Sequence, residues 1–148
     1  MTNTTRERGF TITEIMIIVL VLGILGGIGY VGWSMAITSS KTNAAKTNAT
    51  AVKNAADQFN SRYGAYPTNA QIQGVGDTIK LPDGVSLQNS PLLTKNDPQT
   101  KIFFRATPSS GPPYRGNCIG YYDYAAGTMK VIYTGTATNL DTASLACS

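Results

Sequence analysis

Hydrophobic and polar positions along this chain fall into three regimes. From Ile15 to Ile37 only Ser34 is polar, and this 23-residue stretch is long enough, as a helix, to cross a bilayer core. Beyond it the apolar positions thin to a stripe. Ala45, Ala49, Val52, Ala56, Phe59 and Tyr63 recur at alternating four- and three-residue steps, the spacing of one helix face. Lys46, Asn48, Lys53, Asn54, Asp57 and Arg62 lie between them and make the solvated face. No proline occurs between Phe10 and Tyr66, so the two patterns together predict one helix of about fifty residues. The stripe ending in Phe59 and Tyr63 is the face expected to be covered. Gly64 followed by Pro67 supplies the stop, in the order expected of a helix C-terminus.

The third regime is irregular and then strand-like. Residues 69–117 carry Pro82, Pro91, Pro98, Pro108, Pro112 and Pro113 and read as loop-rich. Short apolar pieces, Ile79–Leu81, Val85–Leu87 and Ile102–Phe104, suggest brief strands or loop anchors. Cys118–Tyr124 and Thr128–Tyr133 are aromatic and β-branched runs joined by Ala125-Ala126-Gly127, a hairpin signal in which Gly127 is free to take a positive φ. The expected fold is α+β: a long N-terminal helix, a connecting loop and a small C-terminal antiparallel sheet.

One acidic residue changes the picture. Glu14 stands at the mouth of a run with no other charge until Lys41, and a carboxylate in an apolar span costs roughly 2.5–3.5 kcal/mol. Such a group calls for a partner. Upstream lie Arg6, Arg8, Gly9 and Phe10, and the stretch Gly9-Phe10-Thr11-Ile12-Thr13-Glu14 resembles the processing site of type IV prepilins. The family pattern, Gly-Phe-Thr-Leu/Ile-x-Glu, is matched at every specified position. The resemblance implies cleavage after Gly9 by a prepilin peptidase and N-methylation of Phe10. It also implies that Glu14 pairs with the new amine of a neighbouring subunit during assembly. A buried cation beside a buried anion costs far less than either alone. A local reading of Glu14 stands beside this one, because Thr11-x-x-Glu14 is also a capping box and an acid suits a helix N-terminus.

The resemblance extends to the helix end, where Tyr63-Gly64-Ala65-Tyr66-Pro67-Thr68 is similar to the close of the long helix in pilins and pseudopilins. It implies the pilin fold, with the small antiparallel sheet packed on the polar half of the helix, and divides the chain into a leader (1–9), an apolar assembly half of the helix (10–39), an amphipathic half (40–66) and a globular head (67–148). The implied function is a structural subunit of a type IV pilus, a helical homopolymer of this chain. Its implied partners are the peptidase, an assembly platform and ATPase, and the membrane that holds it before assembly. A pseudopilin of a secretion or DNA-uptake system shares the motif and is the alternative. A membrane-anchored or secreted binding domain is a more distant one. Arg6 and Arg8 precede the apolar run, so the positive-inside rule puts the N-terminus in the cytoplasm of a single-pass protein; the assembled pilus is extracellular. A secretory signal peptide with Ser34-Met35-Ala36 as its cleavage site competes, although the run is longer than the usual one.

Charge and cysteines add two constraints. The net charge of +4 falls to +3 without Arg6, Glu7 and Arg8, and its carriers are scattered, with no basic cluster. Cys118 and Cys147, an even pair outside the cytoplasm, read as a disulfide, with two unconnected thiols as the other possibility. There is no histidine and hence no conventional triad or histidine metal site. No phosphate loop is present either, and the chain reads as a non-enzyme without a cofactor.

Weaker signals remain. Asp77, Asp83 and Asp97 sit where major pseudopilins of secretion systems hold calcium, and solvated loop acids are the plainer reading. Tyr114, Tyr121, Tyr122, Tyr124 and Tyr133 suggest sheet packing with one or two exposed, and only weakly a stacking platform for DNA. Asn48-Ala49-Thr50 fits a glycosylation triplet. Gly23, Gly26, Gly27, Gly29 and Gly32 each weaken the helix by about 1 kcal/mol, which suggests local melting in a filament or, equally, small-residue packing in the membrane.

Overall fold

The apolar run and the amphipathic stripe build a single helix, α1 (Ile12–Tyr63), in a computed structural model that describes residues 9–72, 81–108 and 111–148. α1 is helical through the glycine-rich stretch Gly23–Gly32. It ends where Gly64 takes a left-handed conformation, φ 71°, and its N–H donates to the Asn60 carbonyl at 2.8 Å. A residue without Cβ adopts that geometry at no steric cost. The chain divides into two compact units between Ile37 and Thr38.

In the first unit every described side chain from Phe10 to Ile37 is exposed. Ile12 is 84% and Leu20 65% exposed, and the helix is long and apolar enough to cross a membrane.

The second unit carries the core. A short helix, α2 (Asn69–Ile72), opens with a capping box: the Gln71 N–H donates to Thr68 Oγ1 at 3.3 Å, and the Thr68 N–H to Gln71 Oε1 at 2.8 Å. Four strands follow, β1 (Ser86–Gln88), β2 (Lys101–Thr107), β3 (Gly116–Asp123) and β4 (Thr128–Gly135), in the order β1-β2-β3-β4. A separate pair, β5 (Leu140–Asp141) and β6 (Ala146–Cys147), is antiparallel. β2, β3 and β4 pair antiparallel, with Phe104 opposite Ile119 and Ile119 opposite Ile132. β1, however, runs parallel to β2, Leu87 opposite Ile102, so the sheet is mixed and not the purely antiparallel one expected. A parallel neighbour requires a crossover, not a hairpin, and the chain between Gln88 and Lys101 provides it.

The two faces of the sheet bury different sets. On one, Ala45, Ala49, Val52, Ala55, Ala56 and Phe59 of α1 share a cluster with Ile72, Ile102, Phe104, Ile119 and Tyr121. On the other, Phe103, Cys118 and Cys147 gather with Leu93, Ala137 and Leu140. Small alanines on α1 let the helix approach the bulkier sheet side chains, as close packing demands. Tyr63 departs from the expected stripe. It stays 46% exposed at the last residue of α1, its ring centroid 4.5 Å from that of Phe59. The β3–β4 turn behaves as its sequence suggests: Gly127, at φ 70°, donates its N–H to the Asp123 carbonyl.

Candidate functional site at the helix N-terminus

Thr11 is the N-cap of α1 and Glu14 its third residue. The Glu14 N–H donates to Thr11 Oγ1 at 3.3 Å, and the Thr11 N–H reaches Glu14 Oε2 at 3.4 Å. The Thr11 hydroxyl donates to the same carboxylate oxygen, also at 3.4 Å. The Ile15 N–H donates to the Thr11 carbonyl at 3.2 Å, the first regular helical bond. The local reading of Glu14 is therefore realised in the uncut chain. The box is loose, since its side-chain bonds exceed the ordinary 2.7–3.2 Å range. All three residues are exposed.

Gly9 and Phe10 precede the helix and are accessible; Phe10 is 74% exposed. A side-chain carbon added at Gly9 would meet no atom of the described residues beyond its chain neighbours, and its φ lies outside the left-handed region. The bond between Gly9 and Phe10 thus leads, within one helical turn, to a carboxylate that, among the described residues, is engaged by the long bonds to Thr11. Cutting it would create a cation at Phe10, and such charges at a helix N-terminus are eased by a nearby anion.

The other candidate positions have different settings. The sulfurs of Cys118 on β3 and Cys147 on β6 are 2.08 Å apart, with Cα atoms 5.8 Å apart, and the Thr107 hydroxyl donates to the Cys147 carbonyl at 2.8 Å. The Asp97 carboxylate accepts from Lys101 Nζ at 2.7 Å and from the Thr94 N–H at 2.7 Å. Those two bonds, the ammonium first, hold its carboxyl below the ordinary carboxylate range. Among the described residues no group of three or more side chains suited to a metal ion forms; Asp77 lies outside them. Asn48 donates its Nδ2 to the Gln99 carbonyl at 3.1 Å from within α1.

Of the tyrosines, Tyr121 is buried, and Tyr122 and Tyr124 meet edge to face with centroids 5.1 Å apart. The Tyr124 hydroxyl donates to the Asp97 carbonyl. Burial pushes the Tyr121 and Tyr124 hydroxyls above their usual pKa. Tyr133 is 38% exposed.

Thr42 is a contact that sequence reasoning missed. Its hydroxyl donates to Asp123 Oδ1 at 3.2 Å and accepts from the Tyr124 N–H at 3.0 Å, fastening the β3–β4 turn to α1. Asp123 Oδ1 also accepts from the Ala125 and Ala126 N–H groups. These bonds, led by the Ala126 amide, hold the Asp123 carboxyl low. The only signal for it was the acid just before the turn, a common way of capping one. Comparison with known protein families, curated proteins and solved structures finds no match to this chain.

Proposed function

We propose that this chain is a type IV pilus subunit, cleaved after Gly9, methylated at Phe10 and polymerised through the apolar half of α1. The observation that carries this reading is the junction of an accessible Gly9–Phe10 bond, a Glu14 carboxylate one turn further on, and a membrane-length helix whose described side chains from Phe10 to Ile37 are exposed. Before cleavage the loose capping box uses the carboxylate. After cleavage the amine of a neighbouring Phe10 is the stronger partner, because a charge-assisted contact exceeds a neutral one. Each pairing neutralises two charges inside an apolar bundle and fixes the axial register of one helix on the next. The membrane holds the subunit until then, and an assembly platform with its ATPase extracts it.

The second unit then forms the outer surface of the filament. Its sheet covers the Ala45–Phe59 stripe, and the exposed apolar half of the helix supplies the surface for assembly.

The decisive experiment determines the N-terminus and mass of protein sheared from the cell surface. A start at methylated Phe10, with the mass deficit of one disulfide, supports the proposal. A start at Ile37 means a cleaved signal peptide and refutes it. Mature protein confined to the membrane replaces a pilus subunit with a pseudopilin.

A further inference from the structure

The apolar half of α1 carries two aromatic residues, Tyr30 and Trp33. They lie three apart and so share a helix face. Both are largely exposed, at 78% and 71%, and neither belongs to a described core cluster. Between Ile12 and Ile28 the run is aliphatic and glycine apart from Thr13 and Glu14 at its start. The aromatics are therefore concentrated at one level. At about 1.5 Å per residue, α1 rises about 27 Å from Ile12 to Tyr30 and about 31 Å to Trp33. A hydrocarbon core is about 30 Å thick. The two rings thus stand one hydrocarbon thickness above the helix start. Each combines a broad apolar body with one polar atom, the composition that settles at the boundary between acyl chains and headgroups.

Resting on the reading of the uncut chain as membrane-spanning, we infer that Tyr30 and Trp33 form an interfacial anchor for lipid headgroups on the face opposite Gly9. The anchor sets the depth of the span. It places the hydrocarbon between Ile12 and Trp33, puts the residues that follow Trp33 in the headgroup layer, and holds the Gly9–Phe10 bond at the cytoplasmic boundary. Apolarity alone gives another depth. Centring the full Ile15–Ile37 run puts Gly26 at the midplane and Trp33 about 10 Å above it, inside the hydrocarbon. The anchored placement centres the bilayer near Leu22 and lifts Trp33 to about 16 Å from the midplane.

Trp33 is the only tryptophan, so the native full-length chain reports its own depth. The test reconstitutes it in phosphatidylcholine vesicles doped with lipids brominated at graded positions along the acyl chain. Tryptophan quenching is compared with that of a Trp33→Leu/Leu22→Trp variant, which moves the indole to the expected midplane. The anchor predicts strongest quenching of Trp33 by bromines nearest the headgroup, at least about twofold above those near the chain end, and the reverse order for the variant. Strongest quenching of Trp33 by deep bromines overturns the anchor; if the variant is also quenched deep, the spanning reading survives. Water-like emission from both indoles, with no vesicle binding, overturns the anchor and the spanning reading together.

Discussion

Glu14 has two possible employments, and substitution separates them because they differ in magnitude. The capping box consists of side-chain bonds at 3.3–3.4 Å on an exposed first turn, so removing it costs about 0.5–1 kcal/mol. That frays one turn of a 52-residue helix and leaves the rest standing. Leaving the Phe10 amine of a neighbour unpaired in an apolar bundle costs about 2.5–3.5 kcal/mol, on the order of a hundredfold in equilibrium. Glu14→Gln retains a carbonyl oxygen to accept the Thr11 N–H but removes the charge. Glu14→Ala removes both. The expected result is that both variants are cleaved after Gly9 at the normal rate and both lose surface filaments by about a hundredfold. They should differ from each other by no more than about fivefold, the worth of the cap. The assay is the amount of subunit in the sheared surface fraction relative to the membrane fraction, with intact mass reporting cleavage. Filaments at near-normal yield from Glu14→Gln would refute the charge pairing and leave capping as the role of this residue.

Gly9→Val should leave folding and insertion unchanged, since an added Cβ there meets nothing among the described residues, yet abolish cleavage by a peptidase that needs a small residue; a normally processed valine variant would count against it. Reducing the Cys118–Cys147 pair, 29 residues apart, should lower stability by about 3–4 kcal/mol and the thermal midpoint by roughly 10–15 °C, and an unchanged melt would show the bridge to be inconsequential. Gly135→Ala forces a Cβ to within 2.0 Å of the Arg115 carbonyl oxygen at a φ of 59°, so calorimetry should show a loss of about 2 kcal/mol or more. Asp97, Asp123 and Asp141 all have lowered carboxyl pKa values in the fold; the stability they contribute is full above the ordinary carboxylate range and is lost as pH falls through their folded values. The thermal midpoint should therefore decline below about pH 4, and Asp123→Asn should fall less steeply than the native chain.

Where a pattern had a period or a steric reason, the residues alone revealed the structure. The Ala45–Phe59 stripe marks the face that α1 buries, Gly64 marks where it stops, and Gly127 marks the β3–β4 turn. Each depends on neighbours in sequence. The parallel pairing of β1 does not. Ser86–Gln88 is three residues long, and nothing local tells such a piece whether its partner runs with it or against it. α2 had a readable signal, the Thr68-x-x-Gln71 box, in a region read as loop because of its prolines. At the candidate site the motif residues were legible one by one. What the sequence lacked was the geometry of the bonds between Thr11 and Glu14.

The position of the cysteines bears on how this chain meets proteases. The exposed turn Ala125–Gly127 lies between Cys118 and Cys147, so the bridge closes a ring around it. A nick in that turn opens the ring without releasing a fragment, and β3 and β4 remain both tethered and paired. Damage there would add only the mass of one water until the sulfurs are reduced and the pieces part, and a cut head would keep its place on the helix.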